Sequence, residues 1–161
     1  MASGDSLLVF DPLSNRPPTA NYATVDLRSG FVVLDFDDTT DEKAQFHAVV
    51  PSHYGGGNLL AELTWTSSAA TTGNAQWRVE ITRLNQGANL DTLPAVAGSS
   101  DVLVAAPAAS GDLITSLSSS LTPGGLTTGD LLLVQVTRLA ADAADTLVGD
   151  IELVALEIRE V

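Results

Sequence analysis

Between Asn58 and Arg83 the chain reads NLLAELTWTSSAATTGNAQWRVEITR. Leu59, Ala61, Leu63 and Trp65 alternate with Leu60, Glu62 and Thr64; further on, Trp77, Val79 and Ile81 alternate with Arg78, Glu80 and Thr82. A side-chain period of two gives each run one buried face and one wet face, so both predict β-strands. The linker SSAATTGNA carries the small, turn-permissive residues of a hairpin loop, and the pattern predicts that the two strands form a β-hairpin. Trp65 and Trp77 fall in register with the apolar rows, which is a core position.

Similar short runs recur along the rest of the chain. Strands are predicted at Ser6–Phe10, Ala23–Leu27, Phe31–Phe36, Ala44–Val50, Leu59–Thr66, Gln76–Leu84, Val102–Ala105, Leu113–Leu117, Leu131–Leu139 and Asp150–Arg159. The separators are rich in Gly, Pro, Asn, Asp, Ser and Thr, each a turn former for its own reason. LAADAADTL, residues 139–147, has helix-forming composition but reads as a loop or single turn ahead of Gly149. The expected fold is therefore all-β, an antiparallel β-sandwich of jelly-roll type with 8–10 strands. One domain over 1–161 is expected, with 1–21 as a candidate extended arm.

The last run changes phase: Ile151 and Leu153 share one face, whereas Val154, Leu156 and Ile158 alternate on the other. A β-bulge near Leu153–Val154 reconciles them. The alternative is a strand buried on both sides, covered by a loop or by another subunit. LLLVQV, residues 131–136, has the same two-sided character, so Leu131, Leu133, Val154, Leu156 and Ile158 are the candidate contacts of a homo-oligomer.

Composition narrows the function. Asp and Glu number 20 against 7 Lys and Arg, a net charge of −13. Such a chain cannot assemble the basic patch that nucleic acid or an anionic membrane demands. Cysteine is absent, which removes disulfides, thiolate metal sites and cysteine nucleophiles. MASGDSLLVFDPLSNRPP has neither a basic start nor an adequate apolar run, so no signal peptide and synthesis in the cytoplasm are expected. No window is long and apolar enough for a membrane helix.

Candidate chemistry is sparse. The acidic run DFDDTTDE, residues 35–42, offers Asp37, Asp38 and Asp41 as hard oxygen ligands for Ca²⁺, although it lacks the EF-hand pattern; the alternative is a solvated turn capped by its own side chains. His47 and His53 match no zinc spacing. No G-x-S-x-G elbow, P-loop or dinucleotide fingerprint is present, and nothing singles out a carboxylate pair, so no enzyme is expected. Tyr54, beside Gly55–Gly57, is a candidate exposed platform for a sugar ring, or else a lid over the core.

The stretches LDFDDTTDEKAQF, VPSHYGGG, LTW, ATTGNAQW and WRVEITRL, with the N-terminal MASGDSLLVFDPLSNRPPTANYATVDLRSGFVVLDFD and the tail GDIELVALEIREV, resemble small virion proteins of tailed bacteriophages. That resemblance implies a jelly-roll module of a capsid decoration, tail fibre or appendage, assembled as a homotrimer among other virion proteins, without cofactor. It names no functional residue. The rival expectation is a lectin-like, carbohydrate-binding sandwich, calcium-dependent through Asp37, Asp38 and Asp41.

Overall fold

A computed structural model describes residues 4–161. Ten strands follow one another: β1 (Ser6–Phe10), β2 (Thr24–Arg28), β3 (Phe31–Phe36), β4 (Glu42–Val49), β5 (Leu59–Ser67), β6 (Asn74–Leu84), β7 (Gly98–Ala105), β8 (Ile114–Leu117), β9 (Leu131–Arg138) and β10 (Ile151–Glu160). A single 3₁₀ turn, Pro12–Ser14, follows β1; its N-cap Asp11 accepts a hydrogen bond from the Ser14 N–H. There is no α-helix among the described residues. The 139–147 segment is a chain of turns, as its flanks require.

The strands form two antiparallel sheets that make a jelly-roll β-sandwich. The first runs β2-β3-β10-β5-β8, with β1 also paired to β10; the second runs β4-β9-β6-β7. Of the candidate arm, residues 1–3 lie outside the described region. Ser6–Phe10 is not free but pairs with Leu156–Arg159 of β10.

The predicted hairpin is corrected by this topology. β5 pairs with β10 and β8, whereas β6 pairs with β9 and β7, so the SSAATTG linker crosses from one sheet to the other. The alternation was right because both strands do bury one face, but they bury it against each other across the core. Trp65 and Trp77 are fully buried, meet edge to face with centroids 5.8 Å apart, and Phe36 adds a second T-shaped contact to Trp77 at 5.1 Å. Such pairs contribute ~1 kcal/mol beyond their area.

β10 carries the expected bulge. Leu153 pairs with Trp65 and Ala155 with Thr64, leaving Val154 as the extra residue. The insertion lets Ile151 and Leu153 on one side of it, and Leu156 and Ile158 on the other, all enter the core. It also coincides with a change of neighbour, since β3 pairs with Ile151–Leu153 and β1 takes over further along. β3 therefore parts from β10 at the bulge. The free part of the β2–β3 hairpin ends in Ser29 (φ 49°) and Gly30 (φ 86°), the two left-handed residues of a tight turn matched to strand twist.

Candidate functional site

Where β3 leaves β10, the outer face of the first sheet opens into a cleft of about 270 Å³. Val33 and Val154 form its apolar part with Thr66, Phe31 and Leu113 are exposed at its rim, and Arg28, Ser29 and Gly111 complete it. Arg28 holds the walls together. Its Nη1 donates to Ser67 O (3.1 Å) and to Glu152 Oε2 (2.6 Å), and its Nη2 donates to Ser110 Oγ at 3.1 Å. Ser110 Oγ in turn donates to Ser68 O at 2.8 Å. Gly111, at φ +90°, lies so close that a Cβ there would sit 3.1 Å from Arg28 Nη2; glycine thus permits both the left-handed backbone and the approach.

One polar row crosses this face. Asp35 of β3, Glu152 of β10 and Thr66 of β5 are successive cross-strand partners. Glu152 is ion-paired to Arg28. Thr66 is almost wholly buried, yet neither its Oγ1 nor Asp35 Oδ1 has a hydrogen-bond partner among the described residues. Burial, then the nearby Asp150 and Glu152 charges, push the Asp35 carboxyl up to about 6. Both atoms are closed to solvent, so they are a cost carried inside the sheet and not contacts open to a ligand.

The same face runs on into an acidic end. Asp37, Asp38 and Asp150 present oxygens that all lie within 4.8 Å of one another. Asp37 Oδ1 accepts from the Thr39 N–H, the Thr39 hydroxyl and the Thr40 N–H, which hold its carboxyl below the usual range. Asp38 Oδ2 accepts from the Gly149 N–H at 2.6 Å. Burial and then the Asp38 and Asp37 charges raise Asp150. Three mutually repelling hard-oxygen donors fit a divalent cation of the Ca²⁺ class.

Beneath this end lies Arg138, fully buried in β9. It ion-pairs with Asp145 at 3.0 Å and donates to the carbonyls of Phe36 (3.2 Å), Gly149 (2.9 Å) and Leu147 (2.8 Å). One guanidinium thus fixes the end of β3 and the 139–150 connection, and with them the positions of Asp37, Asp38 and Asp150.

Of the predicted ligands, Asp37 and Asp38 converge and Asp41 does not. Asp41 Oδ1 instead accepts from the Ala141 N–H at 2.9 Å, which ties the two loops together. Its place is taken by Asp150, brought in because Ile151 pairs with Phe36. His47 and His53 are exposed on β4 and in the 50–58 loop. Tyr54 is corrected as a platform: its ring is buried and its hydroxyl donates to Gly57 O at 2.6 Å. The lid reading fits, and the glycines beside it have another partner. Glu160 accepts from the Gly55 and Gly57 N–H groups, which lower its carboxyl.

Leu156 and Ile158 are wholly buried between the sheets, so the bulge makes them core. Val154 lines the cleft. Leu131 and Leu133 face outward from the second sheet, where Leu133 lies under a strap formed by Leu93, Pro94 and Val96.

No protein-family model and no curated protein matches the chain. Solved structures do. CBM35 from Cellvibrio japonicus Abf62 matches with a TM-score of 0.59 at 13% identity, over 95% of this chain and 92% of that one. Carbohydrate-Binding Module CBM36 in complex with calcium and xylotriose matches with a TM-score of 0.54 at 12% identity, over 94% and 99%. Xyl-CBM35 in complex with a glucuronic acid containing disaccharide gives 0.55 at 11% identity, over 94% and 91%. At such identities the likeness is one of fold. It overturns the resemblance to phage virion proteins, and with it the capsid-decoration and tail-fibre roles: the segments that carried that resemblance are strand and turn patterns, which any jelly roll shares.

Proposed function

We propose that this chain is a carbohydrate-binding β-sandwich module that acts by binding rather than catalysis. The glycan sits in the cleft between the β2–β3 turn and the 106–113 connection, and calcium is held by Asp37, Asp38 and Asp150.

The observation that carries this reading is the cleft itself. An exposed Phe31 ring and the Val154 and Leu113 side chains suit the C–H face of a sugar. Arg28, braced by Ser67, Ser110 and Glu152, offers further N–H groups without having to reorganise. The fold likeness to carbohydrate-binding modules, one of them holding calcium and xylotriose, supports it. Calcium would neutralise the acidic end and hold the β3–β4 turn against the 139–150 connection.

Affinity electrophoresis of the whole chain through gels containing soluble xylans, glucans, mannans and pectins tests the proposal, with calcium and with a chelator. Retardation in at least one gel is expected, and Phe31→Ala should weaken it about tenfold, the ~1.4 kcal/mol of one lost stacking contact. Because Phe31 is 68% exposed, that change should leave the thermal midpoint almost unmoved. Unretarded migration in every gel overturns the reading.

A further inference from the structure

The charges around the cleft name the class of sugar it takes; this step rests on the carbohydrate-binding reading above. Among the lining residues Arg28 is the cation, and its guanidinium is already paired with Glu152 at 2.6 Å. Beyond that pair the surrounding charge is negative. Asp26 shares the face of β2 and β3 with Val33, its direct cross-strand partner, and Asp35 stands beside Glu152. The whole chain carries a net charge of −13.

A uronic carboxylate would bring a further negative charge close to Asp26 and Asp35, which lie beside the cleft, and to an arginine already paired with Glu152. Rejection of this kind works through unpaired charge as much as through lost contacts.

We infer that the cleft takes a neutral sugar and discriminates against its uronic acid counterpart. In this it differs from what the solved CBM35 complex with a glucuronic acid containing disaccharide holds.

Isothermal titration of the whole chain, with calcium present at pH 8, should use matched pairs of oligosaccharides ending in glucose or glucuronic acid, and in galactose or galacturonic acid. Within a pair that binds, the uronic member should be weaker by about tenfold or more at low salt, and the gap should narrow as salt screens the repulsion. Asp35→Asn should close the gap. Asp26→Asn, a change at an exposed position, should narrow it too and keeps the test open if Asp35→Asn folds poorly. Equal or tighter binding of the uronic member overturns this inference and leaves the carbohydrate reading standing. A gap that survives both substitutions and high salt overturns its electrostatic basis. Absence of binding to every sugar, here and in the gel survey, overturns the carbohydrate reading, and the inference falls with it.

Discussion

Arg138 and Asp145 are both removed from water, and the guanidinium reaches three backbone carbonyls besides. Replacing Arg138 with Met keeps the volume but strands a buried carboxylate and three carbonyls, a loss of ~3–5 kcal/mol in urea denaturation. Arg138→Lys keeps the charge but not the planar fork, so it should recover only part of that. Glu160 is a milder case with a defined pH signature. Its folded-state carboxyl is lowered by the Gly55 and Gly57 N–H groups, so its stabilising contribution is present above the unfolded value of about 4.3. It is lost as the pH falls through the folded value. Glu160→Gln should therefore lower the thermal midpoint at pH 7 and flatten the acid side of the stability curve below the unfolded value. An unchanged acid limb would show that the Gly55–Gly57 nest gains nothing from the charge.

The bulge of β10 makes a sharper demand on its element. Because side chains alternate with period two, removing Val154 puts Ile151 and Leu153, or else Leu156 and Ile158, on the solvent face. Deletion of Val154 should abolish the cooperative thermal transition, whereas Val154→Ala, which keeps the register, should cost less than about 1.5 kcal/mol. A cooperative transition retained by the deletion would mean that the register is set elsewhere. This phase shift was legible in the sequence, as were the strands that bury one face, because that burial imprints a local period; β2, exposed along nearly its whole length, was marked instead by the turn formers on either side of it. Sheet membership was not legible. The alternation around Trp65 and Trp77 says that each strand buries a face, but not whether the partner lies beside it or across the core. The acidic site was half legible for the same reason. Asp37 and Asp38 are adjacent in the chain, but Asp150 joins them only through the pairing of Ile151 with Phe36. Its one local signal, an aspartate after Gly149 at the start of an apolar strand, is shared with many turns. The cleft was illegible altogether, since it depends on β3 parting from β10.

Taken whole, the molecule is a neutral core inside a surface that repels itself, with net charge −13 and its Asp37, Asp38 and Asp150 carboxylates crowded at one end. General salt and a bound cation both relieve this, and they can be separated. Any salt screens the overall repulsion. Calcium at a site stabilises by mass action, ~2.7 kcal/mol when its concentration is a hundredfold above the dissociation constant. For a domain of this size each kcal/mol moves the melting temperature by about 2–4 °C. Millimolar CaCl₂ should thus raise the midpoint by several degrees more than NaCl or MgCl₂ at equal ionic strength. Asp150→Asn should do two things at once. In a chelator it should stabilise the chain, because it removes a carboxyl that burial and the Asp38 and Asp37 charges already disfavour. With calcium it should gain no more than it does with magnesium. Asp41→Asn, whose side-chain oxygen can still accept from Ala141, should keep the full calcium increment. If Asp150→Asn keeps that increment and Asp41→Asn loses it, the cation sits in the β3–β4 turn and not where that turn meets β10.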